Sequence, residues 1–199
     1  MTKRYIITLM AANRVGIIAA VTKALAELGG NLQEVSQTVM QKFFTIILAA
    51  EFPLDRGPQL IVDHLRDACR TFGVEVNLKD PELEGPGNEP PEGLEKYFLT
   101  VTGSDKPGII REISARLARE RIDITDLYAV RNENDASFVM VMELAVPQGV
   151  DALSLQEDLE QIGSTVGLSA ALQHENIFAA TNDPRPVKVA LRLATAPPS

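Results

Sequence analysis

The chain repeats itself. Leu9-Met-Ala-Ala-Asn13-Arg-Val-Gly16-Ile-Ile and Thr100-Val-Thr-Gly-Ser-Asp105-Lys-Pro-Gly108-Ile-Ile share one layout: an apolar stretch, a short turn with Asn or Asp, then Gly and an apolar run. Gly108 follows Gly16 by 108 − 16 = 92 positions, and the apolar positions beyond keep that offset, Val21 with Ile113 and Leu25 with Leu117. Solenoid repeats recur every 20–50 residues or so. A period of 92 in 199 residues therefore means two copies of one small domain. Domains this small bury a modest share of their surface, which favours further packing.

Within the first copy, Tyr5, Ile7 and Leu9 alternate as on a strand, and Ile17, Val21, Leu25 and Leu28 fall on one helical stripe. Gly29-Gly30 ends that helix. The pattern predicts strands over 5–10, 31–40, 43–52 and 74–78, and helices over 15–28 and 59–72. Gln41-Lys42 is a connection of hairpin length. The second copy predicts strands over 96–102, 123–130, 137–146 and 168–174, and helices over 107–120 and 150–165. Phe138 answers Phe44 at 138 − 44 = 94, so the second hairpin is two residues longer. The order strand–helix–strand–strand–helix–strand, twice, is an α+β class: two ferredoxin-like βαββαβ domains in tandem, each an antiparallel sheet with helices on one face. The expected division is 1–80, a Pro-, Gly- and acid-rich linker over 81–94, 95–176, and a tail over 177–199. In that tail the alternation of Val187 to Leu193 suggests an added strand. Both third strands are apolar on two faces, with Phe44, Ile46 and Leu48 alternating with Ile47 and Ala49, and Phe138, Met140 and Met142 with Val139 and Val141. Helices cover one face only, so the other is expected to meet a sister domain, a second chain or the tail.

A net charge of −8 opposes direct, non-specific binding to nucleic acid, which rests on Lys and Arg. Cys69 is the one cysteine, so no intrachain disulfide forms, which fits a cytoplasmic setting. No signal-peptide pattern stands at the N-terminus, and no stretch reaches the roughly 20 apolar residues of a membrane span. A trimmed transit peptide would leave no trace.

The repeated turn is the expected site. A turn feeding a helix N-terminus presents unpaired N–H groups and partial positive charge, suited to a carboxylate or phosphate. The backbone at Val15–Gly16, and at Gly108, would take the carboxylate, and Asn13 or Asp105 would accept from the ammonium of a free amino acid. The bland alternative has Asn13 and Asp105 capping the helix and Pro107 in its first turn. Asn31 and Asp123, again 92 apart, begin the second strands and could hold the ligand's other end if both turns lie near one edge of the sheet. The alternative is a turn residue tolerant of unusual backbone angles.

The pattern of strand, Asn/Asp-x-Pro-Gly-Ile, helix and Gly-x-Asn-Ile resembles the ACT domain, the amino-acid-sensing module of many metabolic regulators. Two copies with no catalytic domain resemble the glycine-cleavage-system transcriptional repressor group. The first copy is also similar to the serine-binding regulatory domain of phosphoglycerate dehydrogenase, which implies ligand contacts at Asn13 and Asn31. Ala11 and Val15 depart from that family's His and Pro. Asp105 and Asp123 replace the two asparagines and would repel a carboxylate, so binding is expected at the first copy or at a seam. The resemblance implies glycine or serine as ligand, a regulatory protein partner, a homo-oligomer and a role in transcriptional regulation without direct nucleic-acid contact.

Other chemistry finds little footing. Cys69 falls on an inward stripe with Leu65 and Phe72 and reads as inert core. His64 and His174 have no partners at metal-ligand spacing. No nucleophile elbow is present, and Gly85-Pro-Gly87 lacks the Lys-Ser/Thr of a phosphate loop. Arg111, Arg116, Arg119 and Arg121, with Glu112 and Glu120, read as a solvated helix face. The expectation is a protein with no catalytic residues, metal or cofactor. The rivals are an assembly module without a ligand, an enzyme with an unfamiliar site, and a direct transcription factor.

Overall fold

The computed structural model describes residues 1–83 and 93–181. The chain divides into two compact units, Met1–Asn88 and Glu89–Ser199. The first runs β1 (Thr2–Ala12), α1 (Ile17–Glu27), β2 (Asn31–Met40), β3 (Phe43–Pro53), α2 (Pro58–Ala68), a 3-10 turn (Arg70–Phe72) and β4 (Glu75–Lys79). The second runs β5 (Leu94–Ser104), α3 (Ile109–Arg119), β6 (Asp123–Arg131), β7 (Ser137–Pro147), α4 (Ala152–Thr165) and β8 (Leu168–His174), then α5 (Glu175–Thr181). The sheets are ordered β2-β3-β1-β4 and β6-β7-β5-β8, with every pairing antiparallel. This is the ferredoxin-like arrangement expected from the order of elements, built twice.

Each sheet buries the face its alternation marks. Tyr5, Ile7, Leu9 and Ala11 of β1 and Phe44, Ile46, Leu48, Ala50 and Phe52 of β3 meet Ile17, Val21, Leu25, Ile61 and Leu65 of the helices. In the second unit Leu99, Val101, Met140, Met142 and Leu144 meet Ile113, Leu117, Leu155 and Leu159. Met140 and Met142 are fully buried in that core. Cys69 is fully buried in the first core, and burial pushes its thiol above the ordinary range.

The duplication extends to irregularities. The pairing of β2 with β3 slips between Leu32 and Glu34, and that of β6 with β7 between Ile124 and Asp126. Both are bulges at one place, since 124 − 32 = 92. The left-handed residue after the first helix is Gly29 in one copy and Arg121 in the other, again 92 apart.

The strands run up to three residues longer at an end than their hydrophobic pattern alone predicted, because ladder pairing continues past the last buried side chain. The helix expected over 59–72 stops at Ala68 and finishes as the 3-10 turn. The tail begins as a helix: Ile177 and Phe178 lie in α5, and the ring of Phe178 stacks on Phe98 at 4.1 Å between centroids. With Tyr128, Val139 and Val141 these rings form a small cluster on the sheet face away from α3 and α4. Of the linker expected over 81–94, residues 84–92 lie outside the described residues and Leu94 already belongs to β5; the strand expected over 187–193 also lies outside them. Among the described residues no helix is long and apolar enough to cross a membrane.

Candidate functional site

Ala12 ends β1 opposite Phe43, and the chain must then leave the sheet to start α1. The turn is built on backbone. The Asn13 N–H donates to the Lys42 carbonyl at 2.8 Å, tying it to the β2–β3 hairpin, and the Asp105 N–H repeats this on the Ala136 carbonyl at 3.1 Å. Gly16 then takes φ 96° and Gly108 φ 93°, a region that L side chains rarely adopt, and each opens its helix as N-cap. Neither helix has a side-chain cap. The capping expected of Asn13 and Asp105 is therefore not made: both stand three residues ahead of the N-cap position, exposed, and that position is held by a glycine whose φ opens the helix without supplying an acceptor. Pro107 likewise precedes the helix instead of lying in its first turn.

Asn13 is exposed and Val15 is fully presented to solvent. The N–H groups of Val15, Gly16, Ile18 and Ala19 find no backbone acceptor among the described residues, while Ala20 donates to the Gly16 carbonyl. These are orphan donors of the kind that receive an anion. The second turn has one fewer, because Pro107 lacks an N–H.

The two turns also differ in their surroundings. At the first, Arg14 donates to the Thr71 carbonyl at 3.0 Å, and the Phe72 ring lies 3.7 Å from where a Cβ on Gly16 would stand. The 3-10 turn thus braces this bend. At the second, nothing lies within 4 Å of a Cβ on Gly108, and Asp105 faces the Arg131 guanidinium at 3.7 Å. Lys42, Thr71, Phe72 and Arg131 were missed by sequence reasoning. Arg131 alone left a signal, as a charge at the place of the first copy's Val39 (131 − 92 = 39).

Asn31 and Asp123 are the first residues of β2 and β6, and neither has a positive φ. Their position overturns the expectation that both turns lie near one edge. Asn31 is level with Glu51, which is level with Arg4, whereas Asn13 follows Ala12. Eight residues of β1, about 27 Å, separate those levels. Asp123 is level with Ala145 and Lys96, again eight residues from Ser104. β1 and β2 are both antiparallel to β3 and so run parallel to each other, which places the strand–helix turn and the helix–strand turn at opposite ends of one sheet. Within a single unit no amino acid reaches both.

Each helix layer carries an interhelical pair, at different positions in the two copies. Glu27 of α1 meets His64 of α2 at 2.9 Å, and Arg116 of α3 meets Asp158 of α4 at 2.7 Å. Arg116 is only 14% exposed, so it is not part of the solvated face expected of it. Among the described residues no group of three His, Cys, Asp or Glu side chains is placed to hold a metal ion.

Comparison with known proteins agrees with this geometry. Residues 5–57 and 96–173 each match a family model described as an ACT domain. A UPF0237 protein of Methanosarcina acetivorans is 36% identical over 83 residues, which take in 41% of this chain and 90% of that protein. One of Clostridium acetobutylicum is 46% identical over 76 residues, 38% of this chain and 85% of its own length. Among solved structures, a Galdieria sulphuraria protein of unknown role superposes with TM-score 0.74 at 20% identity, covering 87% of this chain and 99% of that one. A protein provisionally assigned as a glycine cleavage system transcriptional repressor superposes with TM-score 0.65 at 17% identity over 87% of this chain and 98% of its own. At those identities the two structures speak for the fold alone. The duplicated βαββαβ order, the repeated glycine turn and these matches together place the chain in the ACT-domain family, as a tandem of two such domains.

Proposed function

We propose that this is a non-catalytic regulatory protein that binds a small free amino acid at the Asn13 turn and conveys its occupancy to a protein partner. The observation that carries this reading is the cluster of unbonded N–H groups at residues 15, 16, 18 and 19, beside an exposed Asn13 carboxamide. The donors suit a carboxylate, and the Asn13 carbonyl oxygen suits an ammonium. Occupancy of the second turn is disfavoured, because Asp105 supplies negative charge and Pro107 removes a donor.

A ligand held by Asn31 as well as Asn13 needs a second ACT unit. If β2 of one copy pairs antiparallel with β2 of a second copy, Asn31 of that copy arrives at the end of the joined sheet where Asn13 stands. β2 is exposed along almost its whole length, which leaves that edge free to pair. Glycine and serine are the first compounds to test. A ligand bridging two copies favours the paired state by its difference in affinity, and a partner that reads the paired state completes the regulation.

A thermal-shift screen of the twenty amino acids on wild type and Asn13→Ala tests the proposal. One compound should raise the wild-type midpoint and leave the variant unmoved. At a hundredfold excess over Kd the stabilisation is about 2.7 kcal/mol. A second reading, an assembly module without a small ligand, draws on the exposed Met10, Met40, Phe43 and Ile47 of the first sheet. That reading stands if no amino acid moves the midpoint while the protein still self-associates.

A further inference from the structure

α5 follows β8 without a loop, β8 ending at His174 and the helix starting at Glu175. His174 makes two contacts at this corner. Its ring stands edge-on to Tyr97, with centroids 5.0 Å apart and planes at 88°. Its Nδ1 accepts the backbone N–H of Asn176 at 3.2 Å. Alternation along β8 sets His174 on the sheet face of Leu168 and Ala170, the side of the main core. Phe178 lies on the opposite face, stacked on Phe98. α5 therefore turns around the end of the sheet, with an imidazole at the pivot and a phenyl ring as the far contact. Beneath that ring Phe98 is 8% and Val141 6% exposed.

A ring nitrogen accepts a hydrogen bond only while it carries no proton; in the imidazolium both nitrogens are donors. The Asn176 N–H belongs to the first turn of α5 and has no partner within that helix. We propose that His174 is a proton-operated latch. Neutral, it accepts the Asn176 N–H and holds α5 over the Phe98–Val141 face. Protonated, it presents an N–H to an N–H, the corner opens, and that apolar face is bared. Among the described residues Tyr97 of β5 faces the ring, Glu95 beyond it accepts from the Tyr97 hydroxyl at 3.4 Å, and Glu175 is the next residue along the chain, at the start of α5. Burial holds the Tyr97 hydroxyl above its ordinary range, so it stays neutral throughout. From α4, Gln156 binds the Ala170 carbonyl and the Leu172 N–H, and carries no charge.

Titration of the full chain between about pH 7.5 and about pH 5.5 with an apolar-surface dye tests the latch, since imidazoles are the only side chains that ordinarily change charge there. Wild type should gain dye fluorescence reversibly on acidification, and the Asn176 amide should lose protection from hydrogen exchange over the same range. His174→Asn should remain dark, because its side-chain oxygen accepts an N–H two residues on and takes up no proton. Phe178→Ala should be bright at both ends, and His64→Gln should follow wild type. The latch is overturned if wild-type fluorescence and Asn176 exchange are both flat. It is equally overturned if His174→Asn brightens with acid as wild type does, or if Phe178→Ala stays dark.

Discussion

Gly108 separates backbone strain from packing. A Cβ there meets nothing within 4 Å, but φ is 93°. Gly108→Ala should cost about 1–2 kcal/mol through conformation alone, read as a lower midpoint in urea at unchanged slope. A loss below about 0.5 kcal/mol would mean that the turn relaxes to an ordinary φ. Arg121 tests the converse, holding φ 57° where the first copy has Gly29. Arg121→Gly should leave stability unchanged or raise it by up to about 1 kcal/mol, since relief of strain opposes greater freedom of the unfolded chain. Lys3 beside Asp80 at 2.7 Å holds that carboxyl below its ordinary range. A lowered folded value means that the pair's contribution is present above the unfolded carboxylate range and is lost as pH falls through the folded value. Lys3→Met should move the Asp80 titration back up toward the ordinary carboxylate range, followed by NMR. At this scale the glycine turn was legible in the sequence and its chemistry only partly so. An Asn ahead of a helix looks like a cap, and only the φ of Gly16 shows that glycine opens the helix instead.

The interhelical pairs show how burial sets the worth of one contact. Asp158→Asn removes charge from the partner of a guanidinium that is 14% exposed, and should cost about 1–3 kcal/mol. Glu27→Gln at the equivalent groove acts on a pair 33% and 44% exposed, and should cost under about 1 kcal/mol. Denaturation of the two variants side by side checks the order, and a larger loss at Glu27 would contradict it. Elements were the most legible level. Period-two and period-3.6 patterns found every strand and helix of both repeats, because each buries one regular face. α5 was not found. Seven residues carry too few turns to show a period, and Phe178 is ordered by a ring on another strand. The terminal strand residues escaped for a related reason: ladder pairing holds them, not the hydrophobic stripe.

For the whole molecule, the decisive relation is the direction of the strands. The repeat announced two ACT units, and similarity to the family suggested Asn13 and Asn31 as a pair, but neither shows that β1 and β2 run parallel and so set them at opposite ends of one sheet. In the proposed function the ligand therefore bridges two copies, and a mixing experiment addresses that bridge. Asn13→Ala and Asn31→Ala each break every site of a symmetric pair. A pair formed from one copy of each keeps one intact site, with Asn13 from one copy and Asn31 from the other. Calorimetry with the amino acid selected by the thermal screen should show no binding to either variant alone. The mixture, after exchange of copies, should bind with near wild-type affinity at a reduced number of sites. A mixture as silent as its parts would contradict the bridge, and so would Asn31→Ala binding as wild type does.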